Sequence, residues 1–234
     1  MIGGAEEREG TATGGPGMTE EQWATTDRPN SVLYDIERNG RQLLTNRKIR
    51  LFACGCYRLI WNQITLPSIH RLVELAEARA DRLIKQSELS KYRSAEGDPP
   101  RNSPDYLLQS YTKSLLGSKV VPGYIAWLTR SATNPERYQH GGQWQACPEQ
   151  ANLARDIFGN PFRPVAFDPD WRTSTAVALA QQMYDTRDFA AMPILADALQ
   201  DAGCESPDIL DHCRNPNGVH VRGCWVVDLL TGRS

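Results

Sequence analysis

The feature that most constrains this chain is its helix punctuation. It is clearest from Met192 to Leu230, MPILADALQDAGCESPDILDHCRNPNGVHVRGCWVVDLL. Ile194, Leu195, Ala198, Leu199 and Ala202 form one apolar stripe at helical period. Pro193 stands in the first turn, where its missing N–H forfeits no hydrogen bond, and Gly203 stands where such a helix stops. Ser206-Pro207 repeats the start signal for a short helix ending near Arg214, and Asn215-Pro216-Asn217-Gly218 reads as a turn. A last helix is expected over about Val221 to Leu230. It is apolar nearly all round, which predicts a buried element with Asp228 as its one buried charge.

The same punctuation recurs upstream. Thr19 with Gln22 spells a capping box, and Ser31 to Arg38 suits a second short helix. From Asn46 the run RKIRLFACGCYRLIWNQI puts Ile49, Phe52, Ala53, Cys56, Leu59, Ile60 and Gln63 on one face, with Cys54, Tyr57 and Trp61 on another. Two apolar faces predict a central helix contacted on two sides. Pro67 starts the next helix, with Ile69, Leu72, Val73, Ala76, Ala80 and Leu83 inward, and the two should form an antiparallel hairpin. Further helices are expected from Ser87, Pro104, Pro148 and Ser174. The segment NPFRPVAFDPDW, Asn160 to Trp171, carries three prolines that forbid helix, and it suits a strap laid across helices. Strand alternation is absent. The expected fold class is all-α, sequential helical hairpins packed into one domain with a proline-rich strap.

Residues 1–17 have almost no large apolar side chain and are expected to be a disordered extension. Residues 18–234 are expected to form the single helical domain, with a variable middle around 86–146 that includes a Gly97–Ser103 linker and an Asn134–Trp144 loop. Apolar residues make up 40% and charged residues 23%, as in ordinary globular proteins. No apolar run reaches the ~18 residues of a membrane span, and the first residues lack a secretory apolar region. A cytoplasmic protein with six free thiols is therefore expected. A net charge of −2 argues against broad nucleic-acid binding.

One set of segments resembles a family. A start like MTEEQW, a helix like RLFACGCYRLIW, a segment RDIFGNPFRP and a C-terminal HVRGCWVVDLL are similar to an uncharacterised family of bacterial helical proteins. The likeness spans roughly Met18 to Gly232 and is weakest over residues 86–146. It implies that the first 17 residues are an extension and that the two halves belong to one unit. It implies no activity, cofactor or catalytic residue.

Three constellations carry potential chemistry. Cys213, His220 and Cys224 are candidate metal donors, with His212 beside them in the spacing H-C-x6-H-x3-C. That spacing matches no standard zinc pattern, and adjacent His212 and Cys213 diverge by about 100° on a helix. Cys54 and Cys56 diverge by about 200°. Cysteines as packing residues, with no cofactor and no stoichiometric zinc, are the expectation. Cys224 four residues after His220 could make a nucleophile and base, but its apolar segment disfavours the thiolate. Arg41, Arg47, Lys48 and Arg50 form a candidate polyanion-binding patch at the start of the central helix, where positive charge opposes the macrodipole and calls for acidic neighbours or a bound phosphate. No phosphate-binding loop, dinucleotide motif or nucleophile elbow is present. With no catalytic residue assigned, the leading expectation is a non-catalytic interaction or regulatory module. It would have a protein partner and no membrane association; a polyanion- or nucleic-acid-binding protein, binding weakly through the basic patch, is one alternative. A metal- or thiol-dependent enzyme using the C-terminal cluster is the other alternative.

Overall fold

The computed structural model describes residues 17–95, 104–117 and 147–233, and these form eleven helices and no strand. The fold is all-α. The expected disordered extension, the Gly97–Ser103 linker and the Asn134–Trp144 loop fall outside the described residues. Helix α1 (Glu20–Thr25) opens on the capping box: Gln22 N donates to Thr19 Oγ1 at 3.2 Å and Thr19 N to Gln22 Oε1 at 2.9 Å. Then come α2 (Pro29–Asn39), α3 (Asn46–Leu59), α4 (Pro67–Ala80), α5 (Gln86–Ala95) and α6 (Pro104–Leu115). Helix α7 (Pro148–Phe158) precedes the strap. After it come α8 (Ser174–Thr186), α9 (Met192–Asp201), α10 (Pro207–Arg214) and α11 (Trp225–Thr231). Proline occupies the first turn of α4, α7, α9 and α10, as the punctuation predicts; α2 also opens on a proline, Pro29, two residues before its expected start at Ser31. No helix among the described residues is long and apolar enough to cross a membrane.

Helix α3 is the hub of the first half. It packs against α4, α6 and α7, and every residue from Leu51 to Tyr57 is buried. Cys54 and Cys56 do point to different sides, and both sides are covered. Burying a side chain such as Phe52 or Leu51 contributes about 1.5–3 kcal/mol each. Gly55 sits where α3 meets α7: a Cβ there would stand 2.9 Å from Leu153 Cδ1, so any larger residue would displace the buried Leu153 side chain.

Three expected helix ends are corrected. Helix α3 stops at Leu59, so Gln63 lies exposed in a short 3-10 turn, Trp61–Gln63. Helix α4 stops at Ala80, because Arg82 takes φ 61° and closes the helix end with Leu83 N donating to Ala78 O at 2.9 Å. That turn swings Leu83 outward to 78% exposure instead of into the stripe. Helix α11 starts at Trp225 and not near Val221, because Val221 N donates to Asp156 Oδ2 and Gly223 at φ 98° breaks the helical run.

The apolar side chains separate into two clusters. The first is built from α1 to α7, and the second from α8 to α11. The strap joins them: Phe162 packs on the first, while Val165, Phe167 and Trp171 pack on the second. The seam between the clusters is ionic. Arg47 of α3 donates to Asp228 of α11 at 2.5 and 3.0 Å, to Asp81 at 3.2 Å and to Tyr184 Oη of α8 at 2.9 Å. Glu77 of α4, 3% exposed, binds Arg58 at 3.0 Å and also Arg187, which follows α8.

Candidate metal centre

The site begins with Asp156 on α7, 2% exposed. A buried carboxylate is costly unless partnered. Its partners come from the other side of the seam. His220 Nδ1 lies 2.8 Å and His212 Nε2 3.2 Å from Asp156 Oδ1, and Val221 N donates to Oδ2 at 3.1 Å. Cys224 Sγ stands 3.3 Å from His212 Nε2 and 4.0 Å from His220 Nδ1. All four donor atoms lie within 4.8 Å of one another.

Local structure explains the convergence. His212 sits in the last turn of α10. The Asn215–Gly218 turn, closed by Gly218 N donating to Asn215 O at 3.0 Å, sends the chain back to His220. Gly223 then redirects it, so that Cys224 precedes α11 and faces the histidines. A Cβ at Gly223 would stand 3.0 Å from Leu51 Cδ1, so the turn needs glycine on steric grounds as well as for its φ.

Burial pushes the Asp156 carboxyl up, but its hydrogen bonds to His212 and His220 outweigh this and hold it below the usual carboxylate value. Burial drives the Cys224 thiol well up, and the charge of Asp156 adds to the rise. Cys213 is pushed up to about 12 by burial, again with Asp156 contributing. Such thiols are poor nucleophiles without a cation beside them. His220 Nε2, on the far side of its ring, is buried and meets no hydrogen-bond partner.

Asp156, His212 and His220 also line a cleft of about 600 Å³. Lys48, Trp225 and the strap residues Arg163, Pro164 and Val165 complete the nearest wall.

Of the expected donors, His220 and Cys224 converge and Cys213 does not. Cys213 turns into the second cluster at 1% exposure, and its neighbour His212 takes the place beside Cys224. Asp156 was missing from the expected set. Its signal was a lone carboxylate three residues after Leu153 on the apolar face of α7, a position a solvated aspartate would avoid. The expected basic patch does not form one surface. Arg41 is exposed, Arg47 is bound in the seam, Lys48 lines the cleft, and Arg50, 5% exposed, donates to Gly117 O at 3.0 Å. No family model, curated protein or solved structure matches the chain.

Proposed function

We propose that this protein is a zinc-binding helical module. In this reading Asp156, His212, His220 and Cys224 hold the ion, and the module acts by binding rather than by catalysis. One observation carries the reading: four donors of the types zinc prefers point at one place from both sides of the seam. Tetrahedral zinc with bonds of about 2.0–2.3 Å has donor–donor edges of roughly 3.3–3.6 Å. Four of the six separations, 2.8, 3.2, 3.3 and 4.0 Å, lie near that range, and the whole set lies within 4.8 Å, so small shifts of the side chains would close it on an ion. A buried carboxylate with two imidazoles would be satisfied without a thiol. The thiol would supply the fourth donor that tetrahedral zinc needs. Four protein donors close the coordination sphere, which is the pattern of a structural ion. Such an ion would fasten α7 to α10 and α11, so folding and metal binding would be coupled.

Metal analysis of protein purified without chelator tests this. About one zinc per chain is expected, lost in Cys224→Ser, with a chelator lowering the melting temperature of the wild type. Metal-free protein whose melting responds to neither chelator nor added zinc would remove the proposal. A catalytic ion is a second reading, favoured by the three donors that line the cleft. It requires an open coordination position. Cobalt-substituted protein would then show a five-coordinate spectrum in place of a tetrahedral one.

A further inference from the structure

A second pocket, of about 740 Å³, opens at the start of α3. Among the described residues its walls hold five arginines, Arg47, Arg50, Arg79, Arg82 and Arg233, and one acidic side chain, Asp81. Asp81 is already occupied, accepting from Arg47 Nε at 3.2 Å and from Tyr184 Oη at 2.7 Å. Arg47 is likewise neutralised by Asp228. The hydrogen bonds of the remaining arginines go to neutral acceptors. Arg50 donates to Gly117 O at 3.0 Å, Arg79 to Gln86 Oε1 at 3.3 Å and Arg233 to Gln181 Oε1 at 2.9 Å.

Two guanidinium nitrogens in this pocket are buried without a hydrogen-bond partner, Arg50 Nη1 and Arg233 Nη1. Arg50 itself is 5% exposed. An unmet charged donor in the interior is costly, and two beside one opening mark the position of a missing acceptor. The backbone agrees. Thr45 and Asn46, at the N-terminus of the fourteen-residue α3, also line the pocket, and no acidic side chain occupies its first turn. The helix dipole there favours an anion. This resolves the oddity of a basic run at a helix start: Arg47 finds carboxylates, while Arg50 is left for a ligand.

We propose that this pocket binds a small phosphate-bearing molecule through Arg50, Arg79, Arg82 and Arg233. Several guanidinium forks converging on one opening suit the several oxygens and double charge of a phosphate better than a single carboxylate. The recessed position of Arg50 and Arg233 suits a compact ligand. A nucleic-acid backbone is bound by exposed side chains instead, and the net charge of −2 supplies no broad basic face for it.

The experiment is calorimetric titration of the full chain with inorganic phosphate at fixed ionic strength, with sodium chloride as control. Binding with Kd of about 1 mM or tighter is expected, weakened about tenfold by Arg79→Gln and by Arg82→Gly. Arg82 occupies a left-handed position that glycine adopts freely, so its replacement leaves the fold intact. Arg50→Met should abolish binding, and circular dichroism will show whether it folds. No heat with folded wild type would overturn the proposal, as would equal affinity in both surface variants. Binding kept in the arginine variants but lost in Cys224→Ser would assign the phosphate to the metal centre and equally overturn it. So would tight binding of a single-stranded oligonucleotide that phosphate fails to displace.

Discussion

Asp156 and Asp228 are both buried in the seam, at 2% and 1% exposure, and they are partnered in opposite ways. Asp228 faces a guanidinium fork, with Arg47 donating to both of its oxygens at 2.5 and 3.0 Å. That cation is permanent, so the pair is complete as it stands. Asp156 faces two imidazoles, whose charge is conditional, and a neutral thiol. The first arrangement locks two helices together. The second is the set at which we propose a cation. Two carboxylates of equal burial thus differ in whether the charge facing them is permanent.

The largest expected effect tests the permanent pair. Asp228→Ala strands the Arg47 charge in the seam and should cost about 3–5 kcal/mol in urea unfolding. A loss below about 1 kcal/mol would show that Asp81 and Tyr184 suffice for Arg47, and the contrast would collapse. Asp156→Asn, compared with wild type in chelator, should cost less, about 1–2 kcal/mol, because the amide oxygen still accepts from an imidazole. Parity with Asp228→Ala would mean that the cluster is already complete without an ion.

The smallest effect concerns Lys48, whose charge is felt by Asp228, Asp156 and Cys224 alike. Burial lowers its pKa below the usual 10.5. The unfolded chain therefore keeps this proton to higher pH. Wild-type stability should rise as pH climbs from the folded pKa toward 10.5, and below the folded pKa the burial penalty is complete. Lys48→Met should be more stable at neutral pH by about 1 kcal/mol and should lack that alkaline rise. A less stable variant would show that the ammonium is a working counter-charge for the two carboxylates.

Much of the architecture was legible in the chain. The capping box at Thr19, the proline starts and the two-sided burial of α3 follow from periodicity and local hydrogen bonding. So did Asp228 as the buried charge of the last helix. The helix ends at Ala80 and before Trp225 were less legible. Arg82 adopts a left-handed conformation that residue type does not announce, and Val221 is held by an aspartate 65 residues away. The candidate metal centre was half legible: His220 and Cys224 stood out by composition, while spacing along one helix argued against closure. Spacing along one helix relates only donors near in sequence. Asp156 belongs to another helix and another cluster, so its distance along the chain said nothing of its distance in space.

The sequence by itself determined the all-helical class, the order of the helices and most of the faces they bury, because capping, proline geometry and apolar period act within a few residues; Leu83 and Ile194, both expected on buried stripes, are exposed instead. Only the tertiary structure decided which of the basic residues at the start of α3 would be neutralised, which neighbour of the pair His212 and Cys213 would face Asp156, and where arginines would gather with two buried nitrogens left unpaired. Those outcomes depend on charges brought together across the seam, and electrostatic partnership in a buried site is set by separation in space.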